Sequence, residues 1–214
     1  MNAVDPLSLF HHRFVPAEPN GSPLALLLLH GTGGDEDDML PLGPYLAPGA
    51  ALLSPRGRVL ENGAPRFFRR IAEGVFDEED VKHRADELAS FIRAARERYP
   101  LEGRPLLAVG FSNGANIAGA LFLRAPELLD GAILLRGMIP FAPEAPVSLA
   151  GKPVYLGAGR ADPLIRPLAS ERWAETLRGA GADVTLRWTD AGHALGQEDI
   201  DDAREWLRER FPGR

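Results

Sequence analysis

Short apolar runs alternate with segments of helical period along this chain. Leu24 to Leu29 is apolar without a break and ends in His30-Gly31. Ala51-Leu52-Leu53, ending in Ser54-Pro55, repeats the pattern, as do Leu106 to Val109, Ala132 to Leu135 and Val154 to Leu156. Runs this short, with no polar alternation, suit strands buried on both faces of a parallel sheet. Asp183-Val184-Thr185-Leu186-Arg187-Trp188 alternates instead, as a half-buried edge strand does. Residues 10–16 add a weaker N-terminal strand.

Helical stripes fill the gaps. Val81, Ala85, Leu88, Ile92, Ala95 and Tyr99 recur every three or four residues, which places them on one face of a helix. Ala169, Trp173, Leu177 and Ala180 do the same, with Gly179 and Gly181 as stop signals. Ile200, Ala203, Leu207 and Phe211 predict a last helix, with Asp199, Asp201 and Asp202 near its positive end. Strands alternating with helices predict an α/β fold, a mostly parallel sheet covered by helices on both faces. Two stretches, 54–79 and 136–152, fit neither period. Each begins where a strand ends, at the edge of the sheet where ligands bind in such folds.

A chain of 214 residues fits a single domain, 1–214, with a core of its own. The net charge of −6 argues against nucleic acid as a partner, since binding a phosphate backbone needs a basic face. The absence of cysteine removes disulfides, thiolate metal sites and a cysteine nucleophile. No basic region followed by an apolar stretch opens the chain, and no run is long enough to span a bilayer. A cytoplasmic protein with no membrane partner is the expectation.

The candidate chemistry starts at Gly110-Phe111-Ser112-Asn113-Gly114, between an apolar run and a segment rich in small residues. A strand–Gly-x-Ser-x-Gly–helix turn is a nucleophile elbow. The glycines let strand and helix approach, and the serine stands exposed at the strand's end. A serine hydroxyl needs a base to take its proton, and the base needs an acid to orient it. Of the five histidines only His193 follows Ser112, in the loop after the last strand. Asp162, in the loop after the strand near Val154, is the candidate acid. Asp190, close to His193 in sequence, competes with it. Asp183 is discounted because it starts a strand at the opposite edge.

An oxyanion formed at Ser112 would need backbone donors already in place. One is the N–H of Asn113. The other is assigned to Thr32, in the glycine-rich loop His30-Gly31-Thr32-Gly33-Gly34 after the first central strand. His30 itself reads as a structural histidine. Asp35-Glu36-Asp37-Asp38 lacks the spacing of a calcium loop and reads as a solvated helix start. His11-His12 has no partner at metal-ligand spacing, so no metal site is expected.

In order, "LLLLHGTGGDEDDM", "SPRG", "GFSNGANIA", "GARADPLI" and "AGHALG" resemble the phospholipase/carboxylesterase group of α/β-hydrolases over residues 24–210. The resemblance implies an α/β-hydrolase domain with little or no lid. It implies a serine hydrolase that cleaves a small-molecule carboxylic ester without metal or cofactor, in a possible homodimer. It also places Phe67, Phe68, Met138 and Ile139 beside the acyl pocket, and Ile165 is a further candidate there. Gly-Gly-Asp after Thr32 and Ala115 after Gly114 favour the bacterial carboxylesterase branch over protein thioesterases. Thioester or lysophospholipid hydrolysis is the alternative activity, and a non-catalytic binding protein on the same scaffold is the alternative class.

Overall fold

A strand that is apolar at every position must be covered on both faces. In a computed structural model, which describes residues 5–143 and 145–212, the central strands meet that condition. The elements in chain order are β1 (His12–Val15), β2 (Ala25–Leu29), α1 (Leu42–Leu46), β3 (Ala51–Pro55), β4 (Val59–Glu61), β5 (Ala64–Arg66), β6 (Arg70–Ala72) and β7 (Val75–Phe76). They continue with α2 (Glu78–Arg98), β8 (Leu106–Phe111), α3 (Asn113–Arg124), β9 (Gly131–Leu135), β10 (Pro153–Gly159), α4 (Pro167–Gly179), β11 (Asp183–Thr189) and α5 (Gln197–Arg210).

Seven strands form one sheet in the order β1-β3-β2-β8-β9-β10-β11. All neighbours are parallel except β1, which runs antiparallel to β3. Side chains alternate between the two faces, as the pleat requires. Leu27, Leu29, Ala108, Leu134 and Leu156 pack with α2, α3 and α4 on one side. Leu26, Leu28, Val109, Ile133 and Tyr155 pack with α5 and the short α1 on the other. The edge strand β11 is only half buried, as its alternation predicts.

Chain order reverses between β2 and β8. From β2 the chain moves outward to β3, then returns to β8 and proceeds the other way. The carboxyl ends of β2 and β8 therefore flank a crevice, the place where open α/β sheets bind ligands.

The unassigned stretch 54–79 forms two hairpins. β4 and β5 join through Asn62-Gly63, both at positive φ (53° and 83°), the pair that suits a tight hairpin turn. β6 and β7 make the second hairpin. The acids at 35–38 do not start a helix, since α1 begins only at Leu42. Asp37 instead pairs with Arg13 at 2.8 Å and Glu36 with Arg56, which ties this loop to β1 and to the end of β3. No helix among the described residues is long and apolar enough to cross a membrane.

Candidate active site

Ser112 sits between β8 and α3 with φ 51° and ψ −111°, a region that L-residues rarely occupy. The flanking glycines make the turn possible. A Cβ on Gly114 would come within 1.9 Å of the Leu29 carbonyl oxygen, and one on Gly110 within 2.5 Å of the Gly114 oxygen. The serine's own N–H donates to Leu135 O at 2.8 Å, and its carbonyl accepts the first helical bond from Asn116 N–H at 3.0 Å. Packing on both sides thus holds the strained residue in place, with the positive end of α3 behind it.

His193 and Asp162 reach Ser112 from two other loops. His193 Nε2 lies 2.9 Å from Ser112 Oγ, and His193 Nδ1 lies 2.8 Å from Asp162 Oδ2. The other carboxylate oxygen, Oδ1, accepts N–H bonds from Leu164 (2.8 Å) and Ile165 (3.0 Å). A neutral ring that donates Nδ1–H to this carboxylate, 1% exposed and held at both oxygens, turns its Nε2 lone pair to the hydroxyl. Asp190 is 96% exposed, faces Arg160, and is no part of this chain of contacts. Asp183 opens β11 at the far edge of the sheet, paired with Pro153.

The two loops are bolted together. Ala161 N–H donates to Ala191 O at 3.1 Å. Arg136, fully buried and at φ 51°, donates from Nε to Gly192 O at 2.8 Å, next to His193. Its Nη2 reaches both oxygens of buried Asp199 at 2.7 and 2.8 Å, and Asp199 in turn caps the first turn of α5 through Gly196 N–H. The sequence gives no sign of this pair, whose members are 63 residues apart.

Among the described residues neither Thr32 N–H nor Asn113 N–H has a hydrogen-bond partner. Both belong to segments that converge on Ser112, because Leu29 and Gly110 are paired at the ends of β2 and β8. Residues 65–67 brace both segments. Pro65 O accepts from Gly33 N–H at 2.9 Å, Arg66 Nη1 donates to Thr32 Oγ1 at 2.5 Å, and Phe67 N–H donates to Asn113 Oδ1 at 2.7 Å.

A cleft of about 240 Å³ opens over Ser112 and His193. Of the five pocket candidates, Met138 and Ile165 line it. Phe67, Phe68 and Ile139 do not. Phe67 and Phe68 are 2% and 0% exposed and belong to the core, Phe67 against His30 (centroids 4.7 Å) and Phe68 against Phe76 (5.0 Å). Ile139 packs against the same core cluster. Two arginines of the segment, Arg66 and Arg70, line the cleft instead, while Arg69 pairs with Asp77. Arg66, Arg70, Phe76, Phe111, Asn116 and Leu164 are lining residues that sequence reasoning missed. A Phe-Phe pair flanked by arginines gives no clue to which type faces inward.

His30 has both ring nitrogens occupied. Nδ1 bonds Gly31 O at 2.6 Å, and Nε2 accepts Gly57 N–H at 2.9 Å. Burial lowers its pKa, and it does not reach the cleft.

The sequence model of the phospholipase/carboxylesterase family matches residues 12–210. MhqD of Bacillus subtilis (strain 168), a protein named as a hydrolase, is 47% identical over 192 residues, covering 90% of this chain and 96% of that one. The crystal structure of a Bacillus cereus carboxylesterase superposes with a TM-score of 0.91 at 43% identity, over 95% of this chain and 96% of the other. A Mesorhizobium loti carboxylesterase gives 0.87 at 32% identity, over 93% and 94%.

Proposed function

The chain belongs to the phospholipase/carboxylesterase family of α/β-hydrolases, and from that premise we propose that it hydrolyses carboxylic esters through a Ser112–His193–Asp162 triad. The observation that carries the reading is the unbroken hydrogen-bond chain from Ser112 Oγ through His193 to Asp162, at 2.9 and 2.8 Å. It opens on a cleft beside two unpartnered backbone N–H groups.

In the first half-reaction Ser112 Oγ bonds the acyl carbon while its proton passes to His193 Nε2. Asp162 steadies the imidazolium. The carbonyl oxygen takes the negative charge and is received by Thr32 and Asn113 N–H. The carbon–oxygen bond to the alcohol then breaks, and the Nε2 proton goes to the departing oxygen. In the second half a water gives its proton to Nε2 and attacks the acyl carbon, and the ester bond to Oγ breaks as Ser112 regains its proton.

Hydrolysis of small aryl esters and labelling by a fluorophosphonate probe test this together. Ser112→Ala is expected to lose both, with kcat falling by about 10⁴-fold or more. A variant that still turns over esters at the native rate would end the proposal.

A further inference from the structure

We infer that the cleft is built for esters whose acyl part carries a carboxylate, received by Arg66 and Arg70. This inference rests on the ester-hydrolase reading above and names a substrate class for it.

The Arg66 side chain is 4% exposed, yet it lines the cleft. A guanidinium has five N–H donors. Nε faces Phe68 O and Glu61 Oε2, each at 3.2 Å, and one Nη1 donor holds Thr32 Oγ1. Nη2 donates to no protein atom among the described residues. Arg70 lines the same wall and takes the other oxygen of Glu61 at 2.7 Å. Two cations therefore share one carboxylate. Burial and the like charge of Arg70 lower the pKa of Arg66 against the pull of Glu61, the mark of a buried charge left under-compensated. Glu73 is the other acid on this wall, and it is exposed on the turn of the β6–β7 hairpin, where water and salt screen it.

A purely structural brace for the Thr32 hydroxyl needs only one neutral donor. Burying a guanidinium for that purpose is costly unless its charge is met. Its planar fork matches a carboxylate in shape and charge. The direction follows from the chemistry. The alcohol takes its proton from His193 and so leaves on that side. With the oxyanion on Thr32 and Asn113 N–H, the acyl part is left the remaining wall of the cleft, which Arg66, Arg70 and Phe76 line. Since Arg66 touches Thr32, the carboxylate stands only a short chain from the scissile carbonyl, as in a half-ester of a small dicarboxylic acid.

The test compares kcat/KM for ethyl hydrogen succinate with that for ethyl 4-methylpentanoate, in which an isopropyl group replaces the carboxylate. The native protein is expected to favour the succinate by about ten- to a hundredfold, the range of a charge-assisted hydrogen bond. Arg70→Gln should cut that ratio, and Arg66→Gln should abolish it. The ratio is the readout because loss of the Thr32 brace slows both esters alike. Free succinate should inhibit hydrolysis of the neutral ester competitively, a measurement that needs no variant to fold. A ratio of one or less, no competition by succinate, or a preference for butanoyloxyacetate, with its carboxylate in the alcohol, would overturn the inference. If Ser112→Ala abolishes hydrolysis of both esters while the ratio is one, only the anion site falls. If Ser112→Ala leaves hydrolysis intact, the esterase reading falls first.

Discussion

Different atoms of Asn113 carry the proposed chemistry and the local structure. Its backbone N–H is the proposed oxyanion donor, while its side-chain Oδ1 accepts Phe67 N–H and ties α3 to the segment at 65–67. Asn113→Ala keeps the first and loses the second. Steady-state kinetics should find kcat lower by about tenfold with KM little changed, well short of the loss for Ser112→Ala. His30 is a second residue whose neighbours define its behaviour. Its Nε2 accepts the Gly57 N–H, so protonation there breaks a buried bond, and burial holds its pKa below 6.5. Below pH 6.5 the unfolded chain then binds a proton that the folded chain refuses. Stability is full above that pH and falls as the pH drops toward the folded value, by up to about 1.4 kcal/mol per pH unit. The lowered carboxylates, such as Glu36 and Glu87, act only below their ordinary value of 4.5. Urea midpoints between pH 7 and 5 should therefore slope in the native protein and flatten in His30→Asn. Residue types alone marked Ser112, His193 and Asp162 as candidates, because few other positions combine the chemistry with the right place in the strand order. They could not separate Phe67 and Phe68 from Arg66 and Arg70. Which member of a mixed segment faces a cleft depends on what packs behind it.

At the scale of elements, the loop bearing His193 depends on a helix that carries no catalytic candidate. Arg136, just beyond β9, holds Gly192 O and both oxygens of Asp199 at the start of α5. Arg136→Met leaves the Asp199 carboxylate buried with no cation to meet it. It should cost about 3–5 kcal/mol in chemical unfolding and lower kcat through the loosened loop. The double variant Arg136→Met/Asp199→Leu should recover most of the stability, since no charge is then buried alone. If the double variant is no more stable than the single, the ion pair is not what holds this junction. The helical stripes at 81–99, 169–180 and 200–211 were legible because a 3.6-residue period survives any tertiary context. The hairpins of 59–76 were not, since strands of two or three residues are too short for a period to emerge. Their one local signal was the Asn62-Gly63 turn. The acids at 35–38 misled for a related reason. Their partners, Arg13 and Arg56, come from β1 and the end of β3, and no local rule anticipates them.

Across the whole molecule, one sheet separates two apolar layers, and each layer carries a tryptophan. Trp173 lies among α2, α3 and α4, and Trp206 lies with α5 on the opposite face. If residues 1–214 fold as one domain, fluorescence of single-tryptophan variants at 173 and 206 should report the same thermal midpoint as far-ultraviolet circular dichroism. Separate midpoints would mean that the layers unfold independently. The sequence by itself determined the strand–helix alternation, the elbow at Ser112 and the order in which its candidate partners follow. Each of these is written in local period, in glycine placement or in chain order. Tertiary structure alone decided the reach of His193 to Ser112, the Arg136–Asp199 clamp, the brace from residues 65–67 to Thr32, Gly33 and Asn113, and the arginine face of the cleft. These contacts join segments far apart in the chain, and their distances are set by how the sheet twists and how its helices pack, which local patterning does not encode.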